Sequence, residues 1–140
     1  MFKYLLAAVV AFQLLPNVGS ASPRGFLYDC NVAHKTANQG WISQKVAIVV
    51  GRDGKVSILD EVIMNFEVNP VVASVTRDTD NAFHLSWTVR NARDHKKTLI
   101  RKFDYTATIN KATQRIKMTA KPRTYDDRFS SNGTCQVRVG

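Results

Sequence analysis

The chain has 140 residues, two cysteines, and 20 lysines and arginines against 11 acids, a formal net charge of +9. That is enough for one domain around one core, and no internal repeat, low-complexity tract or long linker interrupts it. No GxSxG, HExxH, CxxC, Walker or dinucleotide glycine pattern occurs, so the sequence makes no case for an enzyme.

The chain begins "MFKYLLAAVVAFQLLPNVGSAS", with Lys3, an apolar run from Tyr4 to Leu15, and Gly19 and Ala21 where a signal peptidase takes small side chains. Residues 1–21 are therefore expected to be a cleaved signal peptide. A membrane span needs about 20 apolar residues, and this run is shorter and carries Gln13. The rest, 22–140, is expected to be one β domain, periplasmic or secreted. In an oxidising compartment Cys30 and Cys135 are expected to form a disulfide. A reactive thiol is the competing possibility, but nothing beside either cysteine would depress its pKa.

Short β-type segments then follow one another between turn residues. "GFLYDCNV" (25–32) places Phe26, Tyr28, Cys30 and Val32 on one side. "WISQKVAIVV" (41–50) ends in β-branched residues, Asp53-Gly54 predicts a two-residue hairpin, and "VSIL" (56–59) returns. "DEVIMNFEVNP" (60–70) fits either a bulged strand or one turn of helix, and periodicity does not decide. "VVASVTR" (71–77) puts Val71, Ala73 and Val75 on one face. "AFHLSWTVR" (82–90) alternates, with Phe83, Leu85, Trp87 and Val89 inward. In "TLIRKFDYTATI" (98–109) Phe103, Tyr105, Ala107 and Ile109 share a face, and "QRIKMTA" (114–120) turns Ile116 and Met118 inward. A long loop (121–133) precedes the last strand, "TCQVRV" (134–139).

About eight antiparallel strands in sequence order make an all-β meander, closed as a small calycin-like barrel or folded as a sandwich. A bridge from Cys30 to Cys135 would set the first and last strands side by side. That favours the barrel, which also removes exposed edges.

Charge is unevenly spread. Residues 22–88 carry six cations and seven acids, a net of −1, and residues 89–140 carry thirteen and four, a net of +9. In a meander the connections at 91–97 and 121–133 lie on one rim. They gather Arg90, Arg93, Lys96, Lys97, Lys121, Arg123 and Arg128, with outward Lys102, Arg115 and Lys117 between them. Strict alternation turns Arg101 inward with Phe103; a bulge near Ile100 would turn it out, which is preferred because an unpaired buried charge is costly.

One basic flank is therefore expected. It suits an anionic envelope component (lipid headgroup, lipopolysaccharide or acidic polysaccharide) or an acidic protein. The competing view is a solvated face that only keeps the protein soluble. Nucleic acid is a poor candidate, because binding it needs aromatics among the cations and Trp87, Phe103 and Tyr105 point inward. The alternative function is carriage of a small apolar or anionic ligand inside the barrel, lined by Tyr28, Trp87, Phe103, Tyr105 and Met118. No metal or cofactor is implied: His34, His84 and His95 lie in separate elements. A monomer is expected. The signal peptide, short antiparallel strands and terminal cysteines resemble small exported β-barrels that include bacterial inhibitors of c-type lysozyme. The Ser-Gly-x-x-Tyr loop of those inhibitors is missing here, and a basic flank would repel their cationic target, so the resemblance extends to architecture alone.

Overall fold

A computed structural model describes residues 24–140, so segment 1–21, expected from the sequence to be a signal peptide, lies outside the described residues. Eight antiparallel strands pair in sequence order and β8 returns to β1, closing a barrel. They are β1 (Phe26–Val32), β2 (Lys45–Val50), β3 (Val56–Asp60), β4 (Val71–Asp78), β5 (Ala82–Arg93), β6 (Leu99–Asn110), β7 (Arg115–Pro122) and β8 (Phe129–Val139). Closure rather than a sandwich follows from the seam. β1 pairs with β8 along its whole length, and Cys30 faces Cys135 across it in a disulfide.

The period-two pattern of β5, β6 and β7 sends Leu85, Trp87, Val89, Phe103, Tyr105, Ile109, Ile116 and Met118 into one buried cluster with Ile48 and Ile58. Segment 60–70 holds a short helix, α1 (Glu61–Phe66). Asp60 caps it by accepting a hydrogen bond from the Ile63 N–H (2.8 Å), and Val62 and Ile63 are buried. α1 packs on β3 and β5, and with Trp41 and Ile42 it extends the apolar cluster at the end of the barrel where the chain passes from β5 to β6.

Four local expectations change. The β2–β3 connection spans residues 51–55, because Val50 pairs with Val56. Gly54 alone takes positive φ (84°), and the Gly51 N–H reaches the Lys55 carbonyl, so the turn is wider than a two-residue hairpin. Val75 is exposed although it pairs in register with buried Leu85. The β3–β4 ladder ends at Val56↔Ala73, so Val75 has no β3 neighbour to cover it, and the β4–β5 register shifts just beyond it. The segment 121–133 is mostly ladder: β7 runs to Pro122, β8 starts at Phe129, and only 123–128 is loop. Arg101 is exposed, but a one-strand bulge is not the cause. The β5–β6 register is unchanged through Arg90↔Lys102 and Ala92↔Ile100, while Asn91, with φ at 56°, and Arg101 drop out of the ladder together. Alternation resets on both strands at the same level, so Ala92 and Ile100 turn inward and Arg101 turns out.

Candidate anion-binding wall

The β5–β6 hairpin outruns its neighbours. β4 stops pairing with β5 at Ser74↔Ser86, and β7 stops pairing with β6 at Phe103↔Pro122. Residues 90–102 therefore continue as a two-stranded projection, with Arg93 opposite Leu99 and a tip at 94–98. Its inner face, Ala92 and Ile100, is buried. Its outer face carries Arg90, Arg93, Lys96, Lys97 and Arg101, all exposed, and Lys102, half-buried.

Asp94 is the single acid in this stretch, and it is occupied. Its Oδ1 accepts the Lys96 and Thr98 N–H groups (both 2.9 Å), its carbonyl accepts Lys97 N–H, and Lys97 sits at φ 65°. An Asx turn thus presents the two lysines from a braced tip. Arg93 donates to the Lys97 carbonyl (3.0 Å), which ties the hairpin's own strand to that tip.

Loops flank the projection on both sides. Glu67, just after α1, accepts the Arg90 N–H at 2.8 Å, so the 67–70 segment lies against one strand. On the other side the Arg123 N–H donates to the Lys102 carbonyl (3.0 Å). The Arg123 guanidinium donates to both oxygens of Asp104 (2.9 and 2.7 Å), and Thr88 donates to the same carboxylate. This arrangement holds the Asp104 carboxyl below the usual aspartate range, chiefly through the Arg123 hydrogen bonds and against partial burial. Lys121 donates to the Tyr125 carbonyl, and exposed Arg128 ends the 123–128 loop.

The register divides the expected flank in two. Outward rows cross β5 to β8 as Thr88–Asp104–Lys121, then Ser86–Thr106–Thr119–Ser130, then His84–Thr108–Lys117–Asn132. The middle row holds only hydroxyls, with Thr106 and Thr119 in contact. Lys117 and Lys121 are about 13 Å apart along β7 at about 3.3 Å per residue. That exceeds the Debye length of about 8 Å at physiological salt. The cations around the hairpin form one group. Arg115 and Lys117 form another, beside a groove shared with His84, Thr108 and Asn132.

Ion pairing separates them further from the other cations. Among the described residues the ion pairs are Lys111–Asp78, Arg123–Asp104 and Arg138–Asp29. Of the cations singled out in the sequence, Arg123 alone is thus engaged with an acid.

The side chains expected to line an internal ligand space pack on one another. Trp87 stacks on Tyr105 (5.7 Å), Phe103 lies 5.4 Å from Tyr105 and 4.5 Å from Trp41, and Met118 is fully buried. The Tyr105 hydroxyl donates to the Trp41 carbonyl (2.7 Å), and burial pushes its pKa well above the usual phenol value. Tyr28 is half-buried against Phe83. Trp87 Nε1 is buried and has no hydrogen-bond partner among the described residues.

Comparison with known proteins leaves the site to its own chemistry. No family model, curated protein or solved structure gives a significant match to the chain. Among the described residues, no group of three His, Cys, Asp or Glu could hold a metal ion, and no helix is long and apolar enough to cross a membrane.

Sequence reasoning missed the apolar members of this end of the barrel. Val68 is 97% exposed, Met64 63%, Tyr125 46% and Leu99 39%. An apolar residue inside a polar connection, such as Val68 before Asn69-Pro70 or Tyr125 before Asp126-Asp127, was the available signal.

Proposed function

We propose that this protein is an exported, non-catalytic binding module that holds an anionic component of the cell envelope, or an acidic protein, through the cations of the 90–102 hairpin and the adjoining ends of β6 and β7. The observation that carries this is the lack of acid partners. Arg90, Arg93, Lys96, Lys97, Arg101 and Lys102 project from one braced hairpin with no ion pair among the described residues, and the local acids Asp94 and Asp104 already accept hydrogen bonds. Cations placed so closely repel one another unless an external anion or salt screens them. The disulfide and the apolar N-terminal segment support export.

At an anionic surface each such cation contributes about 1 kcal/mol. Replacing Lys96, Lys97, Arg101 and Lys102 by Gln should therefore weaken retention on lipopolysaccharide or another polyanion by about a thousandfold at low salt, and rising salt should release the wild type. Equal elution of variant and wild type at the same salt would sink the proposal. Internal carriage has less support, because Trp87, Phe103, Tyr105 and Met118 fill the space between them.

A further inference from the structure

Exposed apolar side chains occur elsewhere on the barrel, Phe26, Val49 and Val139 among them, but three of them stand among the unpaired cations. Leu99 is on the hairpin itself, opposite Arg93. Val68 follows Glu67, whose carboxylate holds the Arg90 N–H. Tyr125 belongs to the loop that Arg123 ties to Lys102, and its carbonyl accepts from Lys121. One apolar side chain therefore sits on the projection and one on each side of it, at the end of the barrel that carries the cations. At the other end the turns 51–55, 79–81 and 111–114 carry Asp53 and Asp80 beside Arg52 and Lys55, with Asp78 paired to Lys111, so cations and acids are balanced there rather than gathered by sign.

A soluble polyanion has no use for Val68, Leu99 and Tyr125 in water. A phospholipid surface has use for both kinds of side chain. Its phosphates take the lysines and arginines, and the boundary below them takes aliphatic and tyrosyl groups. We infer that this end of the barrel docks on an anionic lipid bilayer, the hairpin cations pairing with headgroup phosphates while Val68, Leu99 and Tyr125 enter the interfacial layer. This rests on the anion-binding reading and narrows its partner to a membrane surface. Exposed Glu61, Asp126 and Asp127 lie in the connections at the same end and oppose the contact, so changing Asp126 and Asp127 to Asn should tighten it.

The test uses the exported protein with vesicles of phosphatidylcholine and phosphatidylglycerol, and dextran sulfate as a soluble polyanion. The wild type should sediment with the vesicles at low salt. It should keep measurable binding at about 0.5 M salt, where charges are screened beyond about 4 Å. The combined variant Val68→Ser, Leu99→Ser, Tyr125→Ser should lose that salt-resistant part by at least tenfold and bind dextran sulfate as the wild type does. All three side chains are exposed, so the fold should persist, which the melting curve checks. A Val68→Trp variant should shift its emission to the blue on vesicles, and Ala112→Trp, in the β6–β7 turn at the opposite end, should not. Vesicle binding unchanged in the triple variant, or wild type held by dextran sulfate but not by vesicles, overturns lipid docking and leaves anion binding standing. Failure to bind either overturns both.

Discussion

Cys30 on β1 stands directly opposite Cys135 on β8, with Cα atoms 3.9 Å apart and the sulfurs bonded across the seam that closes the barrel. The bridge spans 105 positions, nearly the whole described chain. In the chain-entropy account a loop of that length destabilises the unfolded state by about 4 to 5 kcal/mol. The β1–β8 ladder continues on both sides of the bridge, from Phe26↔Val139 to Val32↔Gly133. Backbone pairing alone can therefore hold the seam closed. A Cys30→Ser, Cys135→Ser variant should keep its β-type far-ultraviolet spectrum while its unfolding free energy in urea drops by about 4 kcal/mol. An unchanged urea midpoint would show that the bridge does not constrain the unfolded chain.

Gly133 ends the same seam two pairs beyond the bridge, paired with Val32 and Ile116. A Cβ there would lie 2.0 Å from the Asn31 carbonyl oxygen and 2.7 Å from Val32 Cα. Both obstacles are backbone, so no side-chain rotation relieves them. Gly133→Ala should force β1 away from β8 and lose about 2 to 3 kcal/mol, at the upper end of ordinary overpacking. Hydrogen exchange should show the loss concentrated in the amides of β1 and β8. Uniform exchange across the barrel would argue against a local clash.

Alternation made β5, β6 and β7 readable, because each buries one face and shows the other to water. Meander connectivity then sufficed to put residues 90–102 and the 123–128 loop at one end. The helix at 61–66 was not readable: it has under two turns, too few for a period to emerge, and the Asp60 cap becomes visible only with the burial of Val62 and Ile63. The outward turn of Arg101 was anticipated, but its cause lies in a cross-strand relation. Asn91 and Arg101 leave the ladder together, and no single strand's pattern encodes that. The basic flank was readable as composition and not as geometry. The hydroxyl row Ser86–Thr106–Thr119–Ser130, which separates Lys117 from Lys121, depends on register between four strands.

Asp60 links the fold to pH. Its carboxyl is buried and its pKa is raised, chiefly by loss of hydration and despite hydrogen bonds from Ile63, Ser43 and Val62. A carboxyl with a raised folded pKa binds its proton more tightly in the folded state. Stability is therefore fully present below the unfolded value, about 3.9, and declines as pH rises towards the folded value. Asp60→Asn keeps an acceptor for the Ile63 N–H without a charge. It should be more stable than wild type at pH 7 and equal to it near pH 3. Asp60→Ala removes the cap and should lose about 1 kcal/mol at low pH. Urea titrations at both pH values separate the two effects, and a pH-independent gap between wild type and Asp60→Asn would contradict the assignment.

Arg123 and Asp104 carry the opposite sign. The Arg123 hydrogen bonds depress the Asp104 pKa, with Thr88 and Lys102 adding to them against partial burial. The stability this pair contributes is present above the unfolded aspartate value and is lost as pH falls through the lowered one. Both groups are substantially exposed, so that contribution is small. The consequence for binding is larger. Once Asp104 is protonated, Arg123 is freed and the wall gains one positive charge beside Lys102 and Lys121, so retention on a polyanion should strengthen as the solution is acidified through that range. Arg123→Gln should return the Asp104 carboxyl signal in an NMR titration towards the ordinary aspartate midpoint, and the gain in retention should move to higher pH with it. If the carboxyl midpoint stays where it was after Arg123 is removed, the Thr88 hydrogen bond and the Lys102 charge hold Asp104 low instead, and its protonation is not what frees Arg123.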